Sequence, residues 1–158
     1  MFQKSKKNVT EQEALLKLSA LCSQAEHSSG EMFDKMRRWG MPQDVAERVV
    51  DRLVDERFVD DERYARFFAR DKIRFDRWGR RKIEQALYKK GVDSDISQRV
   101  LDAVPADDYV EILRPLLAAK RRTLKADSDY ELNCKLIRFA MGRGFDMDVI
   151  RKCVDIPL

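Results

Sequence analysis

Apolar positions along this chain recur at the three- and four-residue spacing of buried helix faces, and glycine, proline or short polar caps interrupt them at intervals. Ala14, Leu15, Leu18, Leu21 and Cys22 share one side of a helix opened by Thr10, with Glu13 three residues on in the capping-box arrangement. Ser28 and Glu31 repeat that spacing ahead of Met32 and Met36, and Gly40 ends the helix because the left-handed conformation costs glycine nothing. Pro42 then fits the first turn of a third helix, with Val45, Val49, Val50 and Leu53 as its buried stripe.

The same plan returns twice. Asp60 and Asp61 cap a helix bearing Tyr64, Ala65, Phe68, Ala69 and Ile73. Residues 79–90 follow with Ile83 and Leu87 inward, then 94–104 with Ile96, Val100, Leu101 and Val104. In the last third, Ser128 and Glu131 form another capping box before Leu132, Leu136, Ile137 and Ala140, while Pro115 falls inside an otherwise helical pattern. An interior proline costs about 3 kcal/mol, so that helix is expected to kink or to start late.

Around Gly40, Gly91 and Gly144 the frame is shared in detail. An apolar residue lies four before each glycine (Met36, Leu87, Ala140) and another directly after it (Met41, Val92, Phe145). An aspartate lies four after (Asp44, Asp95, Asp148), followed by Val45, Val49 and Val50, by Ile96, Val100 and Leu101, or by Val149, Cys153 and Val154. Asp51, Asp102 and Asp155 extend the register. The glycines are 51 and 53 residues apart, so one structural unit is used three times. With no strict alternation and no hairpin dipeptide, the expected fold is all-α: three tandem three-helix repeats, at 9–58, 59–105 and 106–158, forming an elongated, curved molecule. A helix of fourteen residues is about 21 Å long, so three units in line would reach roughly 60 Å.

Composition adds limits. Charged residues make up 38% of 158, and no apolar run approaches the ~18 residues that span a bilayer. The basic start lacks the apolar stretch of a secretory signal, which makes the cytoplasm the expected location and excludes a membrane role. Cys22, Cys134 and Cys153 include no close pair, arguing against disulfides or zinc, and Cys153 takes the packing place of Val49 and Val100. His27, the one histidine, reads as a solvated linker residue. Without a nucleophile motif, a phosphate loop or a cluster of metal ligands, the chain reads as a binding protein, with no catalytic residue, no metal and no cofactor.

Charge is distributed unevenly. Residues 64–92 hold ten Lys and Arg against three Asp and Glu, whereas residues 11–63 hold eight against thirteen. Arg70, Lys72, Arg74, Arg77, Arg80, Arg81, Lys82, Lys89 and Lys90 surround Phe75 and Trp78, an alternation of cations and aromatics suited to phosphates or to an acidic protein groove. Arg77, Arg80 and Arg81 are expected to project together beside the flat face of Trp78.

The middle unit resembles the signature of the bacterial regulatory protein RecX family. The residues that carry the likeness are Asp60, Asp61, Arg63, Tyr64 and Ala65, then Arg70, Gly79, Lys82, Ile83, Leu87, Lys90, Gly91 and Val92. The resemblance implies binding to the RecA recombinase filament and modulation, mainly inhibition, of its recombination and ATPase activities, in DNA repair and the SOS response. A repeat chain with capped ends is expected to be a monomer, and weak DNA binding is expected beside the filament contact. The alternative is a stand-alone helix-turn-helix-like DNA-binding protein, since each repeat places a glycine turn between two helices. Against it, the helices after those turns begin with Asp44, Asp95 and Asp148, which would face phosphates.

Overall fold

The computed structural model describes residues 8–154, and among them it contains nine helices and no strand. The first unit comprises α1 (Glu11–Gln24), α2 (Ser29–Arg38) and α3 (Gln43–Asp55); the second α4 (Asp61–Arg74), α5 (Arg80–Lys89) and α6 (Ser94–Asp102); the third α7 (Ala106–Thr123), α8 (Asp129–Gly142) and α9 (Met147–Arg151). The all-α, three-unit architecture expected from the pattern is the one observed. Asp155 lies outside the described residues.

Local chemistry places the helix ends. Thr10 Oγ1 accepts from the Glu13 N–H at 3.1 Å, Asp60 accepts from the Arg63 N–H at 3.0 Å and Ser128 from the Glu131 N–H at 3.1 Å. Only the Ser28–Glu31 pair closes a reciprocal box; Glu131 turns instead to the N–H of Asp127. At the other end, Gly40, Gly91 and Gly144 take φ of 73°, 74° and 92°. The next N–H reaches back to an equivalent carbonyl each time: Met41 to Met36 at 3.1 Å, Val92 to Leu87 at 3.1 Å, Phe145 to Ala140 at 3.2 Å. The three turns are thus the same turn.

Four details differ from the sequence expectation. Pro42 stands at the N-cap of α3 and not inside its first turn. The helix containing Pro115 does not start late: α7 runs unbroken from Ala106. Glu111, whose carbonyl loses its donor to that proline, is exposed. Val45 and Ile96 are half-buried, and the buried position is the next one, held by Ala46, Ser97 and Ile150. Two of those residues are too small or too polar to register as apolar, although they complete the i, i+3, i+4 face of Ala46, Val49 and Val50. Cys153 is also only half-buried, because α9 ends two residues before it.

Packing divides the chain unequally. The first unit closes its own core around Leu18, Met32, Met36, Val49 and Leu53. The second and third share one continuous core that includes Ile83, Leu87, Leu101, Leu113, Leu136, Phe145 and Ile150, with α4 packed on α7. Among the described residues, hydrogen bonds join the first unit to the second and the second to the third.

Both joints seat the start of a helix on a glycine turn. The Ser28 hydroxyl at the start of α2 donates to the Lys90 carbonyl at 2.6 Å, and a Cβ on Gly91 would lie 2.7 Å from Gly30 Cα. One unit along, the Gly79 and Arg81 N–H groups at the start of α5 donate to the Arg143 and Gly144 carbonyls at 2.9 and 3.0 Å. A Cβ on Gly144 would lie 2.5 Å from Lys82 Cβ. The beginning of one middle helix therefore seats on the glycine turn that ends the next, and the turn's orphan carbonyls accept from a capping hydroxyl at the first joint and from backbone N–H groups at the second.

Candidate interaction surface

The structure sorts the candidate basic residues into three places. Helix α4 ends at Arg74, and the Trp78 N–H folds back to the Lys72 carbonyl at 3.0 Å, which lays the indole against the end of the helix. Lys72 Nζ and Lys82 Nζ approach the Trp78 ring centroid to 4.7 and 4.6 Å, a cation–π arrangement on both counts. The indole is not the open apolar face expected beside the arginines; it is half-buried under two ammonium groups. Phe75 is 72% exposed, with Arg74 5.9 Å from its ring, and Arg77 is held at a left-handed φ of 57°.

Arg80 departs most from expectation. Its Nε pairs with Glu84 at 2.8 Å, and its Nη2 donates to Gln98 at 2.9 Å and Asp102 at 2.7 Å, tying α5 to α6. Those bonds outweigh burial and raise its already high pKa. It is a structural arginine, and it does not project with Arg77 and Arg81. Lys72 is also engaged, with Asp76 at 2.9 Å, and Arg81 stands 65% exposed near Asp146 at 3.9 Å.

Arg70 and Arg74 lie on another side of α4 and, with Arg66, form a row at four-residue spacing. The row borders a cleft of about 520 Å³ floored by Ala69, Ile73, Val104 and Ile112 and faced by Asp108 and Glu111 of α7. Lys89 and Lys90 are at the far end of α5, beside the first unit.

Sequence reasoning missed the continuation of the Trp78 corner into the third unit. Arg143 Nη1 donates to the Asp76 carbonyl at 3.3 Å, and its guanidinium sits 5.3 Å from the Phe139 ring, which Lys120 approaches to 5.2 Å. Residues 112–158 hold ten Lys and Arg against six Asp and Glu, a signal in the sequence that only folding joins to the middle unit.

The family-signature residues do a different job. Asp60 caps α4, whereas Asp61 accepts the Ser29 N–H at 2.7 Å together with the Ser29 hydroxyl, capping α2 from the neighbouring unit. Arg63 binds Glu26 at 2.8 Å. Tyr64 is buried against Glu31, and burial first, then Glu31, raises its phenol pKa. Ala65, Ile83 and Leu87 are fully enclosed, and Gly79 and Gly91 are the joint glycines. His27, expected in solvent, is half-buried with Nδ1 3.4 Å from Glu31. The signature thus records the core of the middle unit and, through Asp61, Arg63, Gly79 and Gly91, how the units are joined.

Fold and surface define a class: a tandem three-helix repeat protein whose second and third units carry a shared basic and aromatic corner. Among the described residues, no helix is long and apolar enough to cross a membrane, and no group of three or more His, Cys, Asp or Glu side chains is arranged to hold a metal ion. Models of the first, second and third three-helix domains of RecX match residues 17–53, 60–101 and 107–154. The regulatory protein RecX of Chlorobium limicola is 33% identical over 139 residues, 88% of this chain and 84% of that relative. That of Clostridium perfringens is 33% identical over 126 residues, and the match spans 58% of its length. A crystal structure of RecX from Lactobacillus salivarius shares the fold, with a TM-score of 0.81 at 21% identity over 90% of this chain and 93% of that one. The chain belongs to the RecX family of regulatory proteins.

Proposed function

We propose that this protein binds the RecA recombinase filament in the cytoplasm as a monomer and modulates it, mainly by inhibiting recombination and ATP turnover, without catalysis of its own. The observation that carries the reading is the corner formed by Lys72, Trp78 and Lys82 and extended by Arg143, Phe139 and Lys120, on a chain of the RecX family. A serial molecule with cations on an aromatic ledge suits a long, phosphate-containing partner, to which it would bind with marked salt dependence. The helix-turn-helix alternative gains no support, because Asp44, Asp95 and Asp148 at the starts of α3, α6 and α9 are exposed.

RecA-promoted strand exchange and ATP hydrolysis should both slow when the protein is added at equimolar ratio, and the protein alone should hydrolyse no ATP. Lys82, Lys120 and Arg143 changed together to Glu should weaken filament binding at least about tenfold, about 1.4 kcal/mol, and flatten its salt dependence. Unchanged RecA activity with the parent protein in low and moderate salt would refute the reading.

A further inference from the structure

Three equivalent glycine turns exist, and two of them are occupied. The Gly91 turn receives the start of α2 and the Gly144 turn the start of α5, in each case through carbonyls at the glycine or the residue before it. The Gly40 turn has the same φ and the same back-reaching hydrogen bond, yet a Cβ built on Gly40 meets no atom of the described residues within 4 Å. Among the described residues, the carbonyls of Trp39 and Gly40, the counterparts of Lys90 and Gly91, accept no hydrogen bond. The turn is exposed and flanked by cations: Arg38, Arg37 (paired with Asp34 at 2.8 Å), and Lys17 5.5 Å from the Trp39 ring.

We propose that the Gly40 turn is a docking point for the start of an α-helix from a partner protein, one with glycine in its first turn and carboxylates beside it. The two occupied turns supply the geometry. A helix start brings orphan N–H donors and partial positive charge, and the turn offers orphan carbonyls. The approach is so close that a side chain on either glycine of the first joint would collide with backbone, so the incoming helix needs glycine at the contact. Arg37 and Arg38 select carboxylates at its first turn, the position such residues favour in helices generally. The start of α2, Ser28-Ser29-Gly30-Glu31, has this chemistry and seats beside Lys89 and Lys90. A second copy of the chain is excluded as the occupant, because the corresponding positions of α8 are Ser128, Asp129 and Tyr130, and Tyr130 would block the approach.

The proposal stands apart from RecA and is tested without it. A stapled helical peptide copying residues 27–38 serves as the probe, added at millimolar concentration to the isotope-labelled full chain. The Trp39, Gly40 and Met41 amide resonances should shift in a saturable manner, while those around Gly91 and Gly144, already occupied, should not. A peptide carrying Leu in place of Gly30 should bind at least about tenfold more weakly. Gly40→Asn in the full chain, a residue that tolerates left-handed φ and here meets open space, should fold normally and lose the shifts. Absence of shifts at Gly40, or equal binding by the Leu-substituted peptide, would overturn the proposal, and the second comparison needs no variant of the protein.

Discussion

The joint between the first and second units and the joint between the second and third share a backbone contact but differ in everything around it. At the first, polar side chains hold the units: Asp61 on Ser29, Arg63 on Glu26, and the Ser28 hydroxyl on Lys90. At the second, one hydrophobic core passes through, from Tyr64 to Val154. The backbone seat fixes how units align, and the side chains decide how firmly. A joint of charged groups and caps is worth a few kcal/mol and responds to pH, whereas a shared core makes two units fold as one.

The largest effect should come from that core. Leu113→Ala, at a fully enclosed site, should cost about 2–5 kcal/mol and lower hydrogen-exchange protection across α4 to α9 together. Leu18→Ala should act on α1 to α3 alone. If Leu113→Ala left α5 protected while α8 opened, the second and third units would be energetically separate despite their common core.

Asp61→Ala should cost about 1–2 kcal/mol, and its signature should appear in α2, a helix of another unit, because it removes the cap on Ser29. Exchange rates raised only in α4 would show that the carboxylate serves its own helix.

Acid should separate the joints next. Burial opposes ionisation of Glu31, but the Ser28 N–H, His27 and Lys90 outweigh it and hold the carboxyl below its ordinary 4.5. A folded pKa below the unfolded one adds stability that is complete above the unfolded value and is lost as pH falls through the folded value. Between pH ~7 and ~3, the Ser29 and Glu31 amides should therefore lose intrinsic-rate-corrected protection before those of Gly79 and Arg81. The reverse order would mean that the first joint does not depend on Glu31.

The smallest effects concern surface charge. Arg80→Gln, which breaks the ties to Glu84, Gln98 and Asp102, should cost about 1 kcal/mol, while Arg77→Gln should stay within about 0.5. Equal melting temperatures for the two variants would show that the Arg80 network contributes nothing net.

The sequence alone determined the helices, their caps, the three glycine stops and the repeat, because each depends on residues within one or two turns. It also held the RecX signature, though not the signature's purpose. Which arginine is free and which is structural, why Gly30 and Gly79 must lack side chains, and how Arg143 and Phe139 extend the Trp78 corner were decided only by tertiary structure. Those facts join residues up to 67 apart in the chain, such as Asp76 and Arg143. A separation of 32 residues explains why Asp61 looks like a cap for its own helix and proves to be one for another. Local periodicity reports what a segment can become, and the partner that satisfies its last polar groups is set by the packing of units.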